Sequence, residues 1–132
     1  MKLLDSDTCI GLLKGNQAVV DAWHACGDQC ALSSMTIGEL YYGAFKSTVR
    51  EEEMNRVDRF VDIFPEIRPS RRSMRRFGEI KVSLEQKGTR LADADIIIAS
   101  TAIEEGLTLV TGNVRHYNRI DGLAIENWFI QN

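Results

Sequence analysis

The sequence KLLDSD at residues 2–7 decides the fold class, because an apolar segment too short for a helix runs directly into a carboxylate, Asp5. The sequence LTLVT at residues 107–111 has the same form and runs into Gly112 and Asn113. Helical spacing of apolar residues fills most of the chain between these two predicted strands. Strands separated by helices form βαβ units, in which the strands lie parallel and the helices cover both faces. The sequence therefore predicts an α/β fold, a three-layer α/β/α sandwich with a mostly parallel central sheet.

Helix start and stop signals give approximate limits for the other elements. Asp7 or Thr8 is expected to cap a first helix that stops near Gly15, and Gly106 is expected to end a helix over residues 94–105. The remaining predicted helices run from Asn16 to near Gly27, from Thr36, over 50–62 and from Ser70 to Gly88, and the remaining strands cover 30–33, 63–67 and 124–127. The helix that begins at Ser70 is expected to bury Met74, Phe77, Ile80 and Leu84.

Length and composition place the chain among ordinary globular proteins. It has 132 residues, of which 44% are hydrophobic and 27% charged, so we expect one domain over residues 1–132 and exclude a disordered chain. No apolar stretch approaches the roughly 20 residues that cross a bilayer. An early carboxylate, Asp5, argues against a signal peptide. Three cysteines without a CxxC pair favour thiols over disulfides, and we expect a soluble cytoplasmic protein with no membrane contact.

Charge is unevenly distributed along the chain. Residues 46–90 contain twelve bases and eight acids, a net charge of +4, whereas the remainder contains four bases and eleven acids, a net charge of −7. This pattern is typical of a protein that binds a polyanion on one surface and a cation on another. The arginines at positions 68, 71, 72, 75 and 76 are candidates for phosphate contacts, although a solvated helix face would have the same composition.

Acidic residues follow the predicted strands or begin the helices after them. Asp5 and Asp7 follow the first strand, Glu39 lies in TIGELYYG at 36–43, and Asp93 and Asp95 precede an apolar helix. A single acid at such a place is often only a helix cap, worth about 1 kcal/mol. Several acids that meet at the carboxyl ends of parallel strands would repel one another unless a cation neutralised them. Oxygen ligands without histidine or cysteine favour Mg²⁺ or Mn²⁺.

The ordered set of segments resembles the PIN-domain ribonucleases, and among them the VapC toxins of type II toxin–antitoxin systems. No single segment carries the resemblance, which covers almost the whole chain. The segments are LLDSD at 3–7, IGELYYGA at 37–44, GEI at 78–80 with KG at 87–88, DADIIIA at 93–99, LVTGNVRHY at 109–117 and GLAIENW at 122–128.

The resemblance implies a compact α/β/α sandwich, an endoribonuclease that depends on Mg²⁺ or Mn²⁺, neutralisation by a cognate antitoxin, and a homodimer. The metal ligands of the family correspond to Asp5 and Asp95, and the middle catalytic acid corresponds to Glu39. Asn113 stands where the family often has a fourth acid, so this chain departs from the pattern there. Further residues near the same cleft are the acids Asp7 and Asp93, either of which would compensate for Asn113, and Arg115 and His116 as contacts to the phosphate or the leaving group.

Two other functions remain open from the sequence. A phosphohydrolase of the haloacid-dehalogenase type would use Asp5 as a nucleophile and Asp7 as an acid, but it needs a lysine that the sequence does not convincingly provide. A catalytically weak module that acts in complexes with an antitoxin and an operator is the alternative without enzymatic activity. Apolar side chains within residues 35–63 offer a surface for a dimer or an antitoxin.

Overall fold

The structure, a computed structural model, describes residues 1–130, in which five strands form one parallel sheet. The strand order is β3-β2-β1-β4-β5, so the first strand of the chain lies at the centre. The strands are β1 (Lys2–Leu4), β2 (Cys30–Ser33), β3 (Glu66–Ile67), β4 (Thr108–Val110) and β5 (Ile125–Glu126). The parallel sheet predicted from the sequence is confirmed.

Seven helices in residues 1–130 cover the two faces of this sheet. They are α1 (Ser6–Leu13), α2 (Gln17–Ala25), α3 (Ser34–Lys46), α4 (Arg50–Val61), α5 (Arg71–Gln86), α6 (Asp93–Glu105) and α7 (Val114–Tyr117). None of the helices in this part of the chain combines the length and apolar character that crossing a membrane requires.

The alternation of side chains along β1 separates two hydrophobic clusters. Leu3 packs in one cluster with apolar residues of α5, α6 and α7, whereas Leu4 packs in the other with residues of α1 to α4. Both leucines are fully buried. Successive side chains of a strand point to opposite faces of the sheet, so each cluster fills the interface between the sheet and one helix layer of the predicted three-layer sandwich.

Several helix starts differ from the sequence prediction. The cap of α1 is Asp5, which accepts a hydrogen bond from the Ser6 amide, and not Asp7 or Thr8. The helix expected to open at Thr36 begins at Ser34, because the Ser33 side chain accepts from the Met35 amide. The predicted start of α5 is confirmed, because Ser70 forms a capping box with Ser73.

Three local expectations were wrong, each for a physical reason. The strand expected over 63–67 is only two residues long, because β3 pairs with β2 at Leu32 and Ser33 alone. Met74 is 41% exposed and does not face the core. The short helix α7 was not expected, because four residues are too few to show an apolar period.

Candidate active site

Asp5 lies at the carboxyl end of the central strand and is the most buried acid of the site. Its residue surface is only 6% exposed. Its Oδ1 accepts from the Ser6 backbone amide at 2.9 Å, and its Oδ2 accepts from Thr111 Oγ1 at 2.9 Å. Because β1 and β4 are parallel neighbours that end at the same edge, Thr111 reaches a residue 106 positions away in sequence. Both carboxylate oxygens of Asp5 therefore accept a hydrogen bond from the protein.

Asp7 approaches the same point from the first turn of α1. Its Oδ2 accepts from the Gly112 backbone amide at 2.9 Å, and Thr111 Oγ1 lies 3.4 Å from both of its oxygens. A Cβ atom at position 112 would lie 3.1 Å from Asp7 Oδ2 and 2.7 Å from a ring carbon of Phe129. Only glycine lets the backbone come this close to the carboxylate and the ring.

Asp95 lies in the first turn of α6 and receives donors from α7. Its Oδ2 is 2.7 Å from His116 Nε2, and its Oδ1 accepts from the Tyr117 hydroxyl at 3.2 Å. Tyr117 is almost completely buried and His116 is partly buried. The short helix α7 therefore fixes the orientation of Asp95.

Glu39 comes to the same group of acids from α3. The residue is exposed, but its carboxyl group lies within Coulombic range of Asp5, Asp95 and Asp7. Four carboxyl groups from β1, α1, α3 and α6 thus face one region beyond the carboxyl ends of the strands, where parallel sheets place their functional clefts. We call Asp5, Asp7, Glu39 and Asp95 the acidic cluster.

The electrostatics of the acidic cluster oppose ionisation. Burial and, second, repulsion from the Asp7 carboxylate raise the pKa of Asp5 to about 6, against the opposite effect of the donors from Ser6 and Thr111. Burial also raises the pKa of Glu39 to about 7, with added repulsion from Asp5 and Asp95. Burial and the same two carboxylates raise the pKa of the Tyr117 hydroxyl well above its usual value. At neutral pH the cluster therefore holds more negative charge than its surroundings offset.

The donor set of the acidic cluster fits a hard divalent cation. All four side chains offer oxygen ligands, and a divalent cation would offset the repulsion that raises the pKa values of Asp5 and Glu39. Within residues 1–130, no three His, Cys, Asp or Glu side chains are already close enough to enclose an ion. The oxygens of Asp5, Asp7 and Asp95 are instead held by the protein donors given above, with which a cation would compete.

Other residues named from the sequence lie outside the acidic cluster. Asp93 turns toward α5, where its carboxylate pairs with Lys81 at 3.0 Å and remains 60% exposed. Asn113 contributes its backbone amide, which donates to Thr111 Oγ1 at 3.1 Å, but its exposed side chain has no hydrogen-bond partner in residues 1–130. Arg115 is exposed and forms no ion pair in the same part of the chain. The expectation that Asp93 compensates for Asn113 therefore has no support in these contacts.

The arginine run is partly occupied by contacts within the chain. Arg72 and Arg76 pair with Glu104 of α6 at 3.2 and 2.8 Å, and Arg68 lies 3.7 Å from Glu66. Arg71 and Arg75 remain without an ion pair in residues 1–130. The run predicted to contact phosphates therefore serves in part to join α5 to α6.

The haloacid-dehalogenase alternative is not favoured by these contacts. That mechanism needs a lysine beside the nucleophilic Asp5. In residues 1–130, the lysines in ion pairs contact Glu126, Asp93 and Asp121, and none hydrogen bonds to Asp5.

Two residues that hold the carboxylates, Thr111 and Tyr117, carry no functional signal in the sequence. Thr111 was seen only as the end of a strand, and Tyr117 only as part of a motif. Leu4 and Val110 are paired in the β1–β4 register, so the residues that follow them, Asp5 and Thr111, are neighbours. The sequence alone does not give this register. No sequence signal marks the contact of Tyr117 with Asp95.

Comparison with known proteins is consistent with this arrangement. The family model described as PIN domain matches residues 2–123. Ribonuclease VapC2 of Rickettsia felis is 33% identical, and the tRNA(fMet)-specific endonuclease VapC of Salmonella typhimurium is 32% identical, each alignment covering 96% of both chains. A crystal structure of VapBC2 from Rickettsia felis bound to a promoter DNA fragment matches with a TM-score of 0.89 at 32% identity, covering 96% of this chain and 98% of the other. The chain therefore belongs to the PIN-domain family and, within it, to the proteins named VapC.

Proposed function

We propose that this protein is an endoribonuclease that depends on Mg²⁺ or Mn²⁺ and acts as the toxin of a toxin–antitoxin pair. The observation that carries the proposal is the convergence of Asp5, Glu39 and Asp95 from three distant parts of the chain, with the pKa of Asp5 raised to about 6 and that of Glu39 to about 7. The ribonuclease names of the two bacterial relatives support it.

The proposed mechanism assigns a separate role to each acid. Asp5 and Asp95 would hold the cation, and Asp7 is a further oxygen ligand within reach of Asp5. When bound, Mg²⁺ or Mn²⁺ acidifies water and offsets charge that develops on the phosphodiester. Glu39 accepts the proton of the attacking water, a role for which a pKa of about 7 is suitable at neutral pH.

Neighbouring side chains orient these acids. The Thr111 hydroxyl fixes Oδ2 of Asp5, and His116 and Tyr117 fix the two oxygens of Asp95. We place His116 as a positioning residue, in preference to the phosphate contact expected from its sequence position. Arg115 is exposed in the same short helix and remains our candidate for a phosphate contact.

We infer that the partner proteins are a cognate antitoxin and a second copy of this chain. The support is that the Rickettsia felis and Salmonella typhimurium structures that resemble this chain are VapBC complexes. The exposed apolar side chains of α3, α4 and the segments beside them offer the contact surface, and they are Tyr42, Phe45, Val49 and Ile63.

The deciding experiment compares two substitutions on the same helix. Purified protein is incubated with initiator tRNA, other tRNAs, ribosomal RNA and messenger RNA, in Mg²⁺, Mn²⁺ or EDTA. We expect Asp95→Asn to abolish cleavage and Asp93→Asn, which makes the same change of charge outside the acidic cluster, to retain it. Full metal-dependent cleavage by Asp95→Asn would refute the proposed function.

A second candidate is a catalytically weak module that acts mainly in a complex with an antitoxin and operator DNA. Two observations favour it: Asn113 replaces the fourth acid, and two similar structures hold VapBC bound to DNA. If Asn113 limits catalysis, Asn113→Asp increases the cleavage rate at saturating Mg²⁺. If the weak module is the true function, the wild type cuts no RNA in the panel and only Asn113→Asp gains cleavage.

A further inference from the structure

A pocket of about 640 Å³ lies between α5 and α6, beside the acidic cluster but not part of it. We call it the α5–α6 pocket. It is bounded by the carboxyl-terminal half of α5, the loop over residues 88–91 and the first turn of α6. That turn of α6 also carries Asp95, and Ile96, the next residue, lines the pocket. Its volume is within the range of about 300–1,000 Å³ that is typical of sites for small ligands.

The lining of this pocket combines apolar side chains with one free cation. Its apolar part is Leu91, which is partly exposed, above Leu84 and Ile96, which are only 3% and 2% exposed and form the floor. Lys81 is neutralised by Asp93 at 3.0 Å. Arg90, by contrast, is exposed and forms no ion pair within the described part of the chain, residues 1–130.

We propose that the α5–α6 pocket is an RNA subsite that holds a nucleotide flanking the cleaved phosphodiester, with Arg90 on the phosphate and Leu91 against the base. This inference rests on the proposed function, since the pocket residues Asp93 and Ile96 lie on either side of Asp95 in the sequence of α6, where that function places the cleaved phosphodiester. Arginine suits a phosphate because its guanidinium donates two parallel hydrogen bonds. Apolar contact to a base is tolerant of sequence, so the subsite adds affinity without selecting one base.

Glu85 provides a second test of the proposal, because its effect on RNA affinity should be opposite to that of Arg90. It lines the same pocket, is exposed and has no ion-pair partner in residues 1–130. A phosphate that enters the pocket is attracted by Arg90 and repelled by Glu85. Removing either charge without changing side-chain size much should therefore move RNA affinity in opposite directions.

The test measures binding separately from cleavage. A fluorescein-labelled single-stranded RNA of mixed sequence is titrated with full-length protein in the Asp95→Asn background, in Mg²⁺ and at several salt concentrations. We expect Arg90→Gln to weaken binding roughly five- to tenfold and to reduce the salt dependence by about one phosphate contact. We expect Glu85→Gln to tighten binding by roughly twofold or more. Arg59→Gln, which removes an exposed arginine from α4 in the opposite helical layer, should leave binding unchanged.

Cleavage by the otherwise wild-type enzyme gives the second readout. Arg90→Gln should raise KM by the same factor as it weakens binding and leave kcat within about twofold, because it touches a flanking nucleotide only. Equal losses in Arg90→Gln and Arg59→Gln would overturn the subsite and indicate general charge attraction. Single-stranded DNA of the same sequence that binds as tightly, with the same dependence on Arg90, would overturn it in favour of a DNA contact.

The outcomes also separate the subsite from the proposed function. If the wild type cuts RNA and neither Arg90→Gln nor Glu85→Gln alters binding, the subsite is wrong and the function stands. If the wild type cuts no RNA in the cleavage panel, the proposed function fails whatever the binding titrations give.

Discussion

Thr111 donates its hydroxyl to Oδ2 of Asp5 at 2.9 Å and thereby joins the carboxyl ends of β4 and β1. We expect Thr111→Val, which keeps the side-chain shape, to reduce cleavage by about tenfold or more, because a buried hydrogen bond to a charged group contributes about 1.5–3 kcal/mol. Thr101→Val is the matched control, since its buried hydroxyl donates only to the Ile97 carbonyl of its own helix. Single-turnover cleavage rates compare the two variants, and an equal rate loss in both would contradict the role of Thr111.

Tyr117 is expected to act on cation affinity through Asp95. Removing its hydroxyl in Tyr117→Phe should increase the Mg²⁺ concentration for half-maximal cleavage by roughly 10-fold, because groups that orient a metal ligand typically contribute 10–100-fold in affinity. Tyr41→Phe is the control, since the Tyr41 hydroxyl also donates to an aspartate, Asp58, but on the exposed side of α3 and α4. Unchanged Mg²⁺ dependence in Tyr117→Phe would show that the tyrosine is only structural.

The acidic cluster should make the metal-free protein less stable as the pH rises. Because the pKa of Asp5 is raised to about 6 in the folded state, folding favours its protonated form, and stability falls as pH increases from about 4 through 6. Asp5 alone accounts for a loss of about 3 kcal/mol across this interval. Glu39 acts in the same direction up to a pH of about 7.

Urea unfolding in EDTA from pH 4 to 8 measures this loss. We expect Asp5→Asn to flatten the pH dependence of the unfolding free energy, to be more stable than the wild type at pH 8 and to lose cleavage. Asp93→Asn removes the same negative charge outside the acidic cluster, and it should keep the wild-type dependence of the unfolding free energy on pH. Mg²⁺ should stabilise the wild type at pH 8 and have little effect on Asp5→Asn. If the stability of Asp5→Asn falls with pH as steeply as that of the wild type, Asp5 is not the group whose raised pKa causes the loss.

Gly112 is required where the backbone passes Asp7 and Phe129. A Cβ atom there would lie 2.7 Å from a ring carbon of Phe129, so Gly112→Ala should destabilise the fold by about 1–3 kcal/mol. Cleavage should also fall, because the displaced amide no longer donates to Asp7. Gly43→Ala, where no atom lies within 4 Å of the added Cβ, should be neutral or slightly stabilising. Thermal melting of both variants compares them.

The central features of the fold could be predicted from the sequence. β1, β2 and β4 are short apolar segments between amphipathic helices, and that pattern leads directly to a parallel sheet. The convergence of Asp5 with Asp95 follows from the same pattern, because functional groups collect at the carboxyl ends of parallel strands. The metal-binding role of these acids stays a prediction.

Contacts set by tertiary structure could not be predicted. The sequence position of Asp7 suggests a helix cap. Its carboxylate instead accepts a hydrogen bond from the Gly112 amide, 105 residues away, and Asp5 caps the helix. Asp93 is close to Asp95 in sequence yet faces α5, since residues two apart on a helix point in different directions. His116 and Tyr117 reach Asp95 only because α7 packs beside α6, and a single turn of helix carries no periodic signal.

The acids and the groups that orient them span most of the polypeptide, from Asp5 directly after β1 to Tyr117 in α7. A ribosome that has polymerised the first hundred residues has made Asp5, Glu39 and Asp95, but neither Thr111 nor the tyrosine that holds Asp95. The groups that hold the carboxylates of Asp5 and Asp95 can therefore be in place only when synthesis is nearly finished.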